Sequence, residues 1–278
     1  MTKNIAAAIH EMEPVDTQYV LGRWHHDRVS LGGFGVEARV FLKSLVIPRT
    51  DNRRFLIVGR ARSGTTLLTR LLNGHSRIHC DGEVLKRNVL APLSHLEKLA
   101  DKSNAAVYGA KFLSYQMVQV HRIKDPTLVA RELRRRGFAL IHLKRDTFFQ
   151  TLSLAVAQRR SFYHSDQGRT QLEGMIWIEP EEFCKRIAWS EALLAYEREF
   201  FSEVEHLTVD YDLELVDRDE QRATLDRICN ALGVPTETVA TPLKKVLSTE
   251  PSEILENYDE IAEALVKSGF GHLVPGHP

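Results

Sequence analysis

Apolar and polar positions along the chain change rhythm near residue 53. Residues 1–50 show weak periodicity and a Gly32-Gly33 bend, and read as an N-terminal extension packed on a main domain spanning 51–278. Phe55-Leu56-Ile57-Val58 is a short unbroken apolar run, the pattern of a parallel strand buried on both faces. After a glycine-rich turn, Leu67, Leu68, Leu71 and Leu72 line one side of a helix predicted from Thr65 to about Gly74. The alternation continues with a strand at Ala106 to Phe112, a helix from Thr127 stopped by Gly137, and a strand at Phe138 to Leu143. Asp146 reads as the cap of a helix running through Gln158. A long helix from Pro180 to Glu203 is entered through proline and acids, as helix N-termini prefer. A strand at His206 to Val209, a helix from Asp217 ended by Gly233, and a last helix from Ser252 to about Ser268 complete the pattern. Strands alternating with helices predict a three-layer α/β/α fold around a central parallel sheet.

Composition narrows the partners. The 278 residues carry a formal net charge of zero, which argues against a general nucleic-acid binder. The charge is unevenly placed: residues 53–145 hold 19 Lys/Arg against 6 Asp/Glu, and residues 172–266 hold 8 against 23. A basic half in a neutral chain points to a local anionic ligand. The 3 cysteines (Cys80, Cys184, Cys229) form no C-x-x-C pair, so neither a disulfide framework nor a metal site is expected. The longest apolar-looking stretch, Leu31 to Ile47, is broken by Glu37, Arg39 and Lys43, and no membrane span is expected. The N-terminus does not read as a signal peptide, and a cytoplasmic location is the expectation.

The turn after the first strand carries the strongest chemical signal. Gly59-Arg60-Ala61-Arg62-Ser63-Gly64-Thr65-Thr66 has the G-x-x-x-x-G spacing and the strand–loop–helix setting of a P-loop. Such a loop turns backbone N–H groups toward an anion, and the helix N-terminus adds its positive dipole end. Thr65 stands where nucleotide-triphosphate loops have lysine; the cations sit inside the loop instead, at Arg62 with Arg60 nearby.

Arg62-Ser63-Gly64-Thr65-Thr66-Leu67-Leu68 resembles the 5′-phosphosulfate loop of the sulfotransferase superfamily. The resemblance is strong over residues 53–85 and 138–158. It is closest to bacterial carbohydrate-type enzymes (trehalose- and nodulation-factor-like), with loop similarity to tyrosylprotein sulfotransferases. It implies a P-loop-like sulfotransferase fold and transfer of a sulfuryl group from 3′-phosphoadenosine 5′-phosphosulfate (PAPS) to an acceptor hydroxyl, with no metal. Arg60, Arg62, Ser63, Gly64, Thr65 and Thr66 would hold the 5′ end. Arg145, ending a buried strand, and Ser153, eight residues on, match the family's 3′-phosphate pair. Tyr211, in Thr208-Val-Asp-Tyr211, and Lys245 and Ser248, in a late loop, are further donor-site candidates. Glu83, in a Gly-Glu placed where tyrosylprotein and trehalose-type enzymes carry their base, inherits that role, with Asp81 the nearest rival; His75 and His79 read as structural. Arg62 would stabilise the leaving oxygen. An aromatic and charged stretch, Arg159 to Trp177, would cover an acceptor, expected to be a carbohydrate or glycolipid. Two other readings stay open: a P-loop nucleotide kinase, disfavoured by Thr65 and by the lack of an obvious metal-binding Asp at a strand end, and a non-catalytic nucleotide-binding module.

Overall fold

The computed structural model describes residues 50–89, 91–159, 174–239 and 250–276, with Gly35, Ala38, Arg39 and Leu42. The expected extension, residues 160–173 of the stretch expected to cover an acceptor (Phe162, Tyr163, His164 and Arg169 among them), and Lys245 and Ser248 lie outside these residues, apart from the four single positions and Thr50.

Strands β1 (Arg53–Gly59), β2 (Ile78–Cys80), β3 (Val107–Leu113), β4 (Phe138–Lys144) and β5 (Leu207–Asp210) form one sheet in the order β2-β3-β1-β4-β5. Every pairing is parallel. The period of two along β1 sorts its side chains onto two faces. Leu56 and Val58 pack with one core beneath helices α2 (Pro92–Lys102), α3 (Pro126–Arg135) and α5 (Pro180–Phe201), through Leu96, Leu133, Tyr196 and Phe200. Phe55 and Ile57 pack with the other, beneath α1 (Thr65–Asn73) and α7 (Arg218–Leu232), through Leu68, Leu72 and Ile228. Each of these buried side chains contributes about 1.5–3 kcal/mol. A third cluster joins α4 (Thr147–Arg159), α5 and α8 (Tyr258–Lys267) around Phe148, Phe183 and Ile261. The short helix α6 (Tyr211–Glu214) follows β5 directly. The three-layer α/β/α expectation is met.

Local chemistry sets the element ends. Asp146 Oδ1 accepts from the Phe149 N–H at 3.0 Å, and Asp217 Oδ1 accepts from the N–H groups of Asp219 and Glu220. Gly137 and Gly233 end their helices at φ 82° and 64°, a region that favours glycine. One predicted helix differs. The stretch from Ser252 begins as a 3-10 turn, Pro251–Glu253, and α8 starts only at Tyr258. Between them Leu255 makes a parallel bridge to Ile176, and both polar atoms of the Asn257 side-chain amide bond the Ile178 backbone, so these residues are held in turns and not in a helix. Strand β2 and helix α2 have no counterpart in the predicted elements. Among the described residues no helix is long and apolar enough to cross a membrane.

At the carboxyl ends of the central strands, the connection after β1 leaves toward the β2 edge while the one after β3 crosses to β4. The helices diverge there and a crevice opens, the usual place for a ligand in an open α/β sheet.

Candidate active site

The loop after β1 enters this crevice. Gly59 is in contact range of β4: a Cβ there would fall 2.5 Å from the Leu143 carbonyl oxygen. Arg62 and Gly64 both take positive φ, 66° and 89°, alternating with residues that do not. Such alternation curls successive peptides into an anion-binding concavity, which α1 continues with the unpaired N–H groups of its first turn. The outer side of the loop is fastened to protein. The Arg60 carbonyl accepts from Ser63 Oγ (2.8 Å), the Ala61 carbonyl from Gln150 Nε2 (2.5 Å), and the Arg62 carbonyl from Arg145 Nη1 (2.8 Å).

Gly64 must be glycine for two reasons. Beyond its positive φ, a Cβ would lie 2.1 Å from Cδ2 of Tyr211. Gly64→Ala is expected to lose the left-handed penalty of about 1–2 kcal/mol and a further loss from the ring collision. Gly137→Ala is the comparison, because Gly137 has φ +82° and open space around its Cβ position. Denaturant midpoints that fall equally in the two variants would mean that the Tyr211 ring yields freely.

The two ends of the expected donor site come together. Ser153 Oγ lies 3.3 Å from Arg62 Nε, and the Arg145 guanidinium stacks 4.4 Å above the Tyr211 ring centroid. Arg145 Nε is buried with no hydrogen-bond partner, 3.7 Å from Asp212 Oδ1. A buried, under-satisfied guanidinium beside a curled loop is a fit for a doubly anionic oxygen group. Thr65 is buried at the start of α1, and Thr66 Oγ1 accepts from Lys111 Nζ at 3.4 Å.

Two expected ligands are placed differently. The Arg60 side chain is 1% exposed and turns away from the crevice. It donates from Nη1 to Thr147 Oγ1 (3.0 Å) and Ser190 Oγ (2.6 Å), and from Nη2 to the Arg145 carbonyl (2.6 Å). Burial pulls this guanidinium below its ordinary range, against the raising effect of Glu197, Glu191 and Asp146. Its side chain is thus engaged inside the protein by three hydrogen bonds, away from the loop's concave side. The Ser63 hydroxyl is fully buried and bonded within the loop.

Glu83 sits beyond β2, across the crevice mouth from the loop helix. Its Oε2 accepts from Gln116 Nε2 (2.8 Å) and Tyr115 OH (3.2 Å), and its Oε1 lies 3.7 Å from Lys111 Nζ. Gln116 opens a π-helical turn (Gln116–Val120), and its carbonyl oxygen is taken by the Leu113 N–H, which leaves the NH2 aimed at Glu83. Asp81 is differently engaged, accepting from Tyr108 OH (2.8 Å) and from His79 Nε2 (3.0 Å). His75 is buried, with Nε2 2.7 Å from the Pro235 carbonyl and Nδ1 accepting from the Arg77 N–H, a structural placement.

Lys111 is the group that sequence reasoning gave no role. Burial pulls its ammonium below the ordinary lysine range and Glu83 acts in the opposite sense. A lysine in the middle of a strand whose every residue is buried, VYGAKFL, was the available signal. A cavity of about 520 Å³ lies at the opposite ends of the strands, bordered by Arg53 and Val107, remote from all these groups.

A parallel sheet with an anion-cradling loop after its central strand, and a second arginine closing on that loop from the next strand, defines a P-loop-like protein of the α/β class. The sulfotransferase family model matches residues 54–136, the stretch that carries β1, the loop after it and Glu83. No curated protein sequence matches the chain significantly. Among solved structures it is similar to a sulfotransferase from Alicyclobacillus acidocaldarius, at 14% identity over 80% of this chain and 97% of that one, with a TM-score of 0.46. Mouse sulfotransferase SULT7A1 complexed with PAP is 11% identical over 82% of this chain and 68% of that one, with a TM-score of 0.44. The sulfotransferase domain of the Synechococcus PCC 7002 olefin synthase is 14% identical over 69% and 77%, with a TM-score of 0.39.

Proposed function

We propose that this protein is a sulfotransferase that takes its sulfuryl group from PAPS and passes it to an acceptor hydroxyl, that of a carbohydrate or glycolipid, with Glu83 as general base. The observation that carries this reading is the convergence of Arg145, Ser153 and the loop after β1 on Arg62. A ligand anionic at both its 5′ and 3′ positions suits that arrangement better than a nucleoside triphosphate.

PAPS supplies an activated sulfuryl group whose departure leaves charge on a phosphate oxygen. The loop N–H groups and the start of α1 bind the 5′ end, while Arg145 and Ser153 bind the 3′-phosphate through charge-assisted and hydroxyl hydrogen bonds. Arg62, at the loop's crest, stabilises the leaving oxygen. Tyr211 orients Arg145 by stacking. Glu83 takes the acceptor's proton, held in place by Gln116 and Tyr115. Lys111 lies between Thr66 and Glu83 and brings positive charge to the space where donor and acceptor meet. Lys245 and Ser248 remain proposed contacts from the late loop. We also place the enzyme in the cytoplasm, a reading supported by three cysteines that are all free.

Thermal shift separates this from the kinase reading. Adenosine 3′,5′-bisphosphate (PAP), the desulfated product, is expected to raise Tm in the presence of EDTA, whereas ATP with magnesium leaves it within error. A response to ATP-Mg alone would overturn the donor assignment. Acceptor-dependent release of PAP from PAPS then distinguishes an enzyme from a binding module.

A further inference from the structure

Arg60 and Arg145 make a reciprocal pair of straps across the crevice. The side chain of Arg60 donates to the main-chain carbonyl of Arg145 at 2.6 Å, and the side chain of Arg145 donates to the main-chain carbonyl of Arg62 at 2.8 Å. Each guanidinium rises from one loop and grips the backbone of the other. Arg60 is also bonded to Thr147, in the first turn of α4, and to Ser190 on α5. Ser190 passes the connection on: its Oγ donates to Gln150 Oε1 at 2.6 Å, and Gln150 Nε2 holds the Ala61 carbonyl. Of the five residues that contribute side chains to this ring, Arg60, Thr147, Gln150 and Ser190 are at most 4% exposed and Arg145 is 9% exposed. A buried network paired throughout except at Arg145 Nε is stiff, and it has few alternative arrangements.

We propose that Arg60 is a positioning residue that fixes the spacing between the 5′ and 3′ phosphate subsites, and that through this spacing the enzyme prefers a nucleotide phosphorylated at both positions. The inference rests on the donor-site reading given above. A ligand with two anionic groups gains from binding the second only when the first has already brought it to the right place. That gain is large when the two subsites are held at the ligand's own spacing and shrinks when either loop moves against the other. A monophosphate engages one loop and does not register the spacing. Arg60 therefore acts on the bisphosphate alone, without touching it. A guanidinium that bound phosphate directly would act equally on every ligand carrying that phosphate.

Calorimetric titration of the full chain with PAP, adenosine 5′-phosphate and adenosine 3′-phosphate tests this. Arg60→Met is expected to weaken PAP by about 10-fold or more and each monophosphate by less than about 3-fold. Arg60→Lys, which can still reach one or two of the acceptors, is expected to recover part of the loss. Ser190→Ala removes one acceptor from a helix outside the crevice; it should show the same selective loss at smaller size, and it carries the test if Arg60→Met does not fold. A loss for adenosine 5′-phosphate equal to that for PAP would make Arg60 a ligand of the 5′ group and overturn the inference. Unchanged PAP binding in both Arg60→Lys and Ser190→Ala would overturn it too. A parent protein that binds PAP no better than the monophosphates would defeat the donor-site reading itself, and the inference with it.

Discussion

Replacing Glu83 by Gln is expected to cut acceptor-dependent release of PAP by roughly 10²–10⁴, the usual worth of general-base catalysis, while PAP affinity stays within error. The surroundings of Glu83 explain why the change is harsher than its size suggests. Gln116 and Tyr115 both direct donors at Oε2, so the new amide must keep its oxygen there and turn its NH2 toward Lys111, donor against donor. Lys111 loses the carboxylate that opposes its desolvation. The substitution thus removes the base and weakens the nearby positive charge in one step, while the fold, which uses Glu83 only at a half-exposed position, survives. Asp81→Asn is the informative companion: the Asn carbonyl can still accept from Tyr108, so turnover should be kept. If Asp81→Asn is inactive and Glu83→Gln is not, Asp81 is the base.

Arg145→Ala is expected to weaken PAP by about 10- to 150-fold, the equivalent of about 1.5–3 kcal/mol for a charge-assisted pair, with a clearly smaller effect on adenosine 5′-phosphate. Some effect on the 5′ ligand is expected because Arg145 also steadies the Arg62 carbonyl and the Tyr211 ring. Adenosine 3′-phosphate separates the two arginines: it should be weakened by Arg145→Ala and left nearly unchanged by Arg60→Met. Equal losses for PAP and adenosine 5′-phosphate would remove Arg145 from the 3′ subsite.

The fold was legible wherever periodicity was unbroken for several residues. Strands β1 and β4 read as apolar runs because a central parallel strand is covered on both faces, and the caps at Asp146 and Asp217 lie where side-chain chemistry is local. Strand β2 escaped because three residues, Ile78-His79-Cys80, are too few to display a period. Helix α2 carried its signal in Pro92 and the spacing of Leu93, Leu96 and Leu99, and its N-cap, Ala91, offers no side-chain bond. The break before α8 is a tertiary effect: Ile176 and Ile178 hold Leu255 and Asn257, each from 79 positions away. The same division applies to the site. Glycine spacing and the strand-ending arginine are local patterns and could be read directly. Which way the Arg60 side chain turns depends on Thr147 and Ser190, and no local pattern connects those to Arg60.

The straps on the loop also bear on how the protein is made. The loop leaves the ribosome early, but the groups that grip it are encoded far later: Arg145 is 83 positions beyond Arg62, Gln150 is 89 beyond Ala61, and Ser190 is 130 beyond Arg60. At about 5–20 residues per second, the last of these follows Arg60 by roughly 6–26 s. Strand β1 waits as well, since one neighbour begins at Val107 and the other at Phe138. For that interval the nascent chain exposes Phe55-Leu56-Ile57-Val58 without sheet partners, and a buried arginine without its acceptors. Any chain that stops short of Phe138 therefore has the loop sequence without the side chains that strap it, and it offers an apolar strand lacking one of its two sheet partners to whatever binds unfolded protein.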